Sequence, residues 1–575
     1  MCAFTVLTNF WIHRLLNMTL MTTTRALRDE WCSLNKSIRT KGFVNNPQPT
    51  HLRPTLATMA ITKNILVHAI PAWGHNKPLV TLAVFITRSR PEVMITLITT
   101  GLIHPKFVNE LKSKLSKEEY EQLSPRINVI DVAGTEVNPF EPLKEFAPAF
   151  SALYNSEPIS CKSSGKVFSG LPPPVLAIVD PFAPYAFECI RFTKVPVIAW
   201  VTAPCGPLLK IFGPASLGGI ADTTLETEAG LAAARARILA PPNEQTKPAP
   251  HAAFASSGYI KSVVPGSPPM YNHEWNPQIN LLPETVLEQF GQIYLRVADG
   301  VISVSNSVFE KEAVDATRTW LAGNGKPFYA LAPLSLPKPK RHSEADGEVL
   351  QFLGAMKEKF GSKSLIYISF GTFFWPPEQL KLVALIETLI ANQTPFIFSH
   401  ASPLANLPAE FTASIKASGI GFSSPWSPQE TILQHEVTGF FVTHGGWNSI
   451  QESFEHKVPL IFWPMGADQP VNAAVLGITH KAAFELIEVR SGENGTKPLL
   501  RFENTDYKPT FTVDAVKSEV KQLLVKIKGE EGRVVRANFE KLADEMGRNW
   551  EDGKQSRTDL DELLKKYVDR VVALS

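Results

Sequence analysis

Residues 439–456 run GFFVTHGGWNSIQESFEH. An apolar run leads into a polar turn with two glycines, and a helical pattern follows. A strand–turn–helix unit of this kind presents the free N–H groups of the first helical turn to whatever lies in front of it. The positive end of the helix favours an anion there. Gly445 and Gly446 let the backbone come close to a ligand, and His444, Asn448 and Ser449 add side-chain donors. One turn on, Glu452 offers acceptors suited to a pair of sugar hydroxyls. The next strand pattern, VPLIFWP, ends at Pro464 with Asp468 and Gln469 just beyond it. Trp426 and Gln429 follow another strand pattern, GIGFSSP. Three strand ends thus supply an aromatic plate, an anion cradle and polar readers of hydroxyls. In an open parallel sheet, ligands bind beyond the carboxyl ends of the strands. The parts match a nucleotide-sugar: base, ribose, diphosphate, sugar.

A second group lies near the other end of the chain. His75 closes the loop PAWGH after the strand pattern NILVHAI. Histidine titrates near working pH, so it can take a proton from a hydroxyl. The sequence predicts a helix from Asn76 or Lys77, with Pro78 in its first turn. A helix N-terminus close behind the imidazole is expected to disfavour its charged form. Asp180 ends the strand pattern VLAIVD, where it would orient the ring and stabilise the imidazolium as it forms. No His/Asp/Glu cluster at ligand spacing accompanies these residues, so no metal or other cofactor is expected. The diphosphate charge would be met by protein donors, with Gly371-Thr372 approaching from a further strand end.

The stretch 426–469 resembles the donor-binding signature of the UDP-dependent glycosyltransferases that make small-molecule glycosides. Trp426, Gln429, His435, Gly439, His444, Gly446, Trp447, Asn448, Ser449, Glu452, Pro459, Pro464, Asp468 and Gln469 stand where that signature has them. The likeness extends less sharply from about Met59 onward. Taken singly, Trp447 would read as core, His435 as a capping or packing residue, and Glu452 as solvated. The resemblance implies an α/β protein of GT-B type, with two Rossmann-like doubly wound domains facing a cleft. It implies that Trp426 stacks on uracil, that Gln429 bonds near the base or ribose, and that Glu452 takes the ribose hydroxyls. Asp468 and Gln469, with Trp447 beside them, would read the sugar, and Gly74 joins the UDP-sugar set. Glutamine at the last position goes with glucose more often than galactose. The family has a histidine and an aspartate at the positions of His75 and Asp180. The implied reaction is direct displacement, with inversion, of UDP by a hydroxyl. The alternatives are a UDP-sugar epimerase of the same fold and a non-catalytic sugar-nucleotide binding protein.

The elements that must hold these groups fit two domains. At 575 residues the chain exceeds a single core, and its 44% hydrophobic and 19% charged content is that of a globular protein. Strand and helix patterns alternate over residues 64–205 and again from 364. We expect an N-terminal extension over 1–58 that is disordered or stems from an upstream start, with a composition that also fits a transit peptide loosely. An acceptor-binding domain is expected over 59–335, a linker over 336–350, the UDP-sugar-binding domain over 351–550, and a helix at 551–575 crossing back to the first domain. Residues 206–295 break the alternation, with 240–258 as the clearest loop. The apolar loops PFAPYAF, AWVTAPC and KIFGPASLGG suggest a hydrophobic, hydroxylated small-molecule acceptor. A net charge of +2 without a basic block argues against nucleic acid. Five cysteines without a CxxC suggest free thiols in a reducing compartment. No apolar run approaches the roughly 18 residues of a membrane span. A cytoplasmic monomer is the expectation.

Overall fold

Strand patterns such as VMITLIT carry no polar alternation, and a strand of that kind needs cover on both faces. In the computed structural model, which describes residues 61–137, 143–239, 259–279, 284–336 and 347–569, these runs build two parallel sheets. The first contains β1 (Lys63–His68), β2 (Val93–Thr99), β3 (Ile127–Asp131), β4 (Pro174–Val179), β5 (Val197–Val201), β6 (Gly300–Ser303) and β7 (Phe328–Ala330). Their order is β7-β6-β5-β4-β1-β2-β3. The second contains β8 (Leu365–Ser369), β9 (Phe396–Ser399), β10 (Gly421–Ser424), β11 (Thr438–Thr443), β12 (Leu460–Phe462) and β13 (Ala483–Glu485), in the order β10-β9-β8-β11-β12-β13. The expected extension at 1–58, the loop at 240–258 and residues 337–346 of the expected linker lie outside the described residues.

Each sheet is doubly wound. The chain runs outward from the opening strand on one side, then returns to its other side. Strand order therefore reverses between β1 and β4, paired at Ile65 and Leu176, and between β8 and β11, paired at Ile366 and Phe440. The loops leaving these four strands bound the crevices in which such sheets bind ligands.

Side chains on β8 and β11 alternate between two cores, as the period of two requires. Leu365, Tyr367 and Phe441 join the apolar cluster that also fills the first sheet, while Ile366, Ile368 and Phe440 pack in a separate cluster. One face of the second sheet is thus buried with the first domain.

Nine helices matter here: α1 (Trp73–Ser89), α2 (His104–Lys114), α3 (Ser307–Gly323), α4 (Gln429–Gln434), α5 (Trp447–His456), α6 (Gln469–Ala474), α7 (Val513–Lys528), α8 (Glu530–Gly547) and α9 (Gln555–Tyr567). Asn306 caps α3, its Oδ1 accepting from the N–H groups of Val308 and Phe309 at 2.9 and 3.0 Å. Helix α9 lies on the first domain. Asp559 accepts the Ala330 N–H at 2.7 Å, Ser556 accepts that of Ala332 at 3.0 Å, and the Tyr567 hydroxyl donates to the Asp299 carbonyl at 3.1 Å. No helix among the described residues is long and apolar enough to cross a membrane.

Candidate active site

Helix α1 begins at Trp73, earlier than the sequence predicts, so Gly74 and His75 belong to its first turn. Asn76 decides this: its Nδ2 donates to the carbonyls of Ile70 and Ala72, both at 2.8 Å, and ties the turn to the end of β1. Pro78 then falls inside the helix and lacks the N–H that would reach back four residues to the Gly74 carbonyl. Asn448, from α5 of the other domain, fills that place, its Nδ2 donating to the Gly74 carbonyl at 2.8 Å.

His75 and Asp180 meet at the switch point of the first sheet. His75 Nδ1 lies 2.7 Å from Asp180 Oδ2. A carboxylate only accepts, so Nδ1 carries the proton and the lone pair stays on Nε2. Asp180 is itself held by the N–H groups of Phe182 at 3.0 Å and Ile70 at 3.4 Å. The Trp200 indole donates to the His75 carbonyl at 3.0 Å and fixes the helix start from below. The Asp180 side chain is 1% exposed, whereas the His75 ring keeps 23% open to the crevice.

The protonation balance of His75 differs from the sequence expectation. Burial pushes the ring down, but Asp180 by charge and hydrogen bond, with Asp468 adding to it, lifts the pKa above the ordinary value. A full carboxylate in contact outweighs the partial charge of a helix end. Behind the pair lies His68, whose Nδ1 donates to the Ile98 carbonyl at 2.8 Å, leaving Nε2 to accept from the Tyr185 hydroxyl at 2.8 Å. Burial brings this ring down to about 4, so it stays neutral.

The second half of the site is assembled at the matching switch point. Gly371, after β8, has φ +75°, and a Cβ there would stand 2.9 Å from His444 Cε1. Gly445 has φ +91°, and a Cβ on Gly446 would collide with His444 Nε2. The His444 ring is thus clamped between two glycine-bearing loops. Burial lowers its pKa to about 4, so it can offer an N–H to a diphosphate but no charge. Helix α5 spans Trp447–His456, as the sequence predicts, with Gly446 at its N-cap. Thr372 is exposed beside the turn.

The donor residues are wired to one another. Gln429 donates through Nε2 to Glu452 Oε2 at 2.7 Å and Ser449 Oγ at 3.3 Å, and its Oε1 accepts from the Tyr367 hydroxyl at 3.3 Å. Glu452 Oε1 accepts from Lys77 of α1. Asp468 accepts from Asn472 at 2.7 Å and from the Trp447 backbone N–H, and burial brings its pKa up to about 6. Gln469 turns its side-chain oxygen onto the N–H groups of Met465 and Gly466, at 2.9 and 3.1 Å, and so shapes the loop before α6.

Two of the expected residues also make contacts with the first domain. The Trp447 indole is 3% exposed and packs 4.7 Å from the Phe309 ring of α3, while its backbone N–H donates to Asp468. The apolar face of α5 must point into the shared core, which leaves only the Trp447 N–H at the site. The Asn448 side chain gives one of its two amide hydrogens to the Gly74 carbonyl, which fixes where the other points.

Trp426 is 64% exposed, with its backbone anchored to Ser424, so a broad aromatic face is open at the end of β10. Trp426→Ala is expected to weaken UDP binding by roughly 1–3 kcal/mol, the scale of one stacked base. Titration of UDP checks it, and an unchanged affinity would remove the stacking role.

Sequence reading passed over one cluster. Lys77 also meets Glu430 at 3.1 Å and Glu110 at 3.5 Å, and Lys114 meets Glu430 at 2.7 Å. A lysine two residues past His75 was visible in the sequence, but its partners Glu430 and Glu452 lie 353 and 375 residues along the chain.

Comparison with known proteins agrees with this geometry. Residues 342–494 match the family described as UDP-glucoronosyl and UDP-glucosyl transferase. The UDP-glycosyltransferase eriJ of Hericium erinaceus is 29% identical, over 88% of this chain and 100% of that protein. A flavonol 3-O-glucosyltransferase of Arabidopsis thaliana is 34% identical over 33% of this chain and 35% of its own length. In fold, the chain is similar to a transferase from Siraitia grosvenorii solved with UDP, with a TM-score of 0.61 at 19% identity, covering 88% of this chain and 100% of that one. It is also similar to a Medicago truncatula enzyme solved with UDP-glucose, with a TM-score of 0.59 at 19% identity, covering 88% and 98%. Two parallel-sheet domains of the GT-B arrangement, the family match over the donor half and the full-length relative agree in supporting a UDP-dependent glycosyltransferase.

Proposed function

We propose that this glycosyltransferase moves glucose from UDP-glucose to a hydroxyl of a hydrophobic small molecule, with inversion at the anomeric carbon and His75 as general base. The observation that carries the reading is the His75–Asp180 contact of 2.7 Å at the mouth of the first sheet, with Asp468 of the donor half close enough to add to the ring's basicity. His75 Nε2 accepts the proton of the acceptor hydroxyl. The oxygen forms its bond to the anomeric carbon as the bond to the diphosphate breaks, and UDP leaves with that electron pair. The resulting imidazolium is stabilised by Asp180. An α-linked donor then gives a β-glycoside.

On the donor side, Trp426 carries the uracil, Gln429 and Glu452 the ribose, and Asp468 and Gln469 the sugar. Gly74, Thr372, His444, Gly446, Ser449 and the N–H groups of Trp447 and Asn448 surround the diphosphate. The reading gives the leaving charge to N–H and O–H donors and asks for no metal. Support for glucose comes from Gln469 and from relatives named as flavonol and anthocyanidin glucosyltransferases. Support for a hydrophobic acceptor comes from Phe182, whose ring centroid lies 5.6 Å from that of His75, and from a neighbour solved with pterostilbene.

The test is a mass-spectrometric screen of phenolics, sterols and hydroxy fatty acids with UDP-glucose. A hexose adduct of β configuration is expected. An α-glycoside, or epimerised UDP-sugar formed without any acceptor, would overturn the reading.

A further inference from the structure

Helices α1 and α5 come from different domains, yet their first turns run side by side. Asn448 donates to the Gly74 carbonyl at 2.8 Å, and one turn further along each helix Lys77 meets Glu452. The spacings, three residues on α1 and four on α5, are those that keep successive side chains on one helix face. The two contacts are therefore consecutive rungs between the turn that carries His75 and the turn that forms the diphosphate cradle.

The second rung ends on a donor-site residue. Glu452 uses Oε2 for Gln429, and Gln429 holds Ser449, so a chain of polar contacts runs from the cradle to Lys77. The Lys77 and Glu452 side chains are 19% and 6% exposed. The charges around them come from three helices: Glu110 and Lys114 on α2, Glu430 on α4, and Glu455 and His456 on α5 beside Glu452. Lys77 contacts Glu110, Glu430 and Glu452 at once. It is the cation shared by the acceptor-side helix and the donor-side carboxylates. In a partly buried setting such a cation sets where the carboxylates point, because losing it leaves like charges facing each other.

We propose that Lys77 is a positioning residue of the donor site: it holds the Glu452 carboxylate for the donor ribose and ties it across the crevice to the helix that bears His75. This rests on the reading that Glu452 takes the ribose hydroxyls. Lys77 acts through Glu452 and does not touch the reacting atoms. Its loss acts on donor affinity and leaves the acceptor side alone.

UDP titration and initial rates on the full chain test this with Lys77→Met, Glu452→Gln and the double variant. Lys77→Met is expected to weaken UDP binding roughly 10-fold, the scale of a lost charge-assisted contact, and to raise the KM for UDP-sugar with the acceptor KM unchanged. Glu452→Gln is expected to weaken UDP binding as well, and the double variant to be no weaker than the worse single one. Should Lys77→Met not fold, Lys77→Gln, which keeps an N–H donor, carries the same comparison. Losses that multiply in the double variant, or wild-type UDP affinity without Lys77 while Glu452→Gln is impaired, would overturn the proposal alone. Unchanged binding in Glu452→Gln would overturn the ribose reading and this proposal with it.

Discussion

Replacing His75 by alanine is expected to lower glycosyl transfer by about 10²–10⁴-fold, the usual contribution of a positioned general base, while UDP titration stays close to wild type. The two halves of this expectation rest on different contacts. The ring's polar partner is Asp180, and the donor residues are linked among themselves through Gln429, Ser449 and Glu452. Removing the imidazole leaves that second network intact. The helix start is held by Asn76 and by the Trp200 indole on the His75 carbonyl, neither of which uses the His75 side chain. A variant with wild-type turnover would remove His75 from the chemistry. Parallel loss of UDP binding would point to damage of the crevice instead.

Asp180→Asn should be nearly as costly and should change the pH profile. The carboxylate makes Nδ1 the protonated nitrogen. An amide can turn its NH2 toward the ring and favour the other tautomer, which puts the proton on the nitrogen that must accept one. Turnover is expected to fall on the order of 10²–10⁴-fold. The sign of the pH effect follows from the balance at His75. In the wild type, burial lowers its pKa, while the charge and hydrogen bond of Asp180, together with Asp468, raise it, leaving it above the ordinary histidine value of 6.5. The neutral base therefore dominates only above that raised value, and kcat/KM climbs through it as pH increases. Without the carboxylate the depressing effect of burial remains, so the acid limb should move to lower pH. An acid limb that stays in place while the rate falls would mean that another group titrates there.

Much of the donor half was legible because its residues are close in sequence. Gly371, Gly445 and Gly446 announce turns, and the apolar face of SIQESFEH announces α5, so the strand–turn–helix unit and its N-terminal cradle follow from local rules. The two doubly wound sheets were legible for a similar reason, since continuous apolar runs such as VMITLIT must be covered on both faces. Where local signals competed, the reading missed. Pro78 argued for a helix start at Asn76 or Lys77, but the Asn76 side chain ties the turn to β1 and moves the start to Trp73.

The amino-acid order by itself determined which groups are available: a histidine and an aspartate at two strand ends, and a set over residues 426–469 whose types suit a nucleotide-sugar. Only the tertiary structure decided how those groups are charged and occupied. Asp180 reaches His75 across 105 residues of chain and reverses the effect of the helix end, the Trp447 indole turns into the shared core, and Lys77 and Asn448 join the two domains. The physical reason is that protonation and hydrogen-bond partnership depend on distance and exclusion of water, and these are fixed when remote segments pack, not by spacing along the chain.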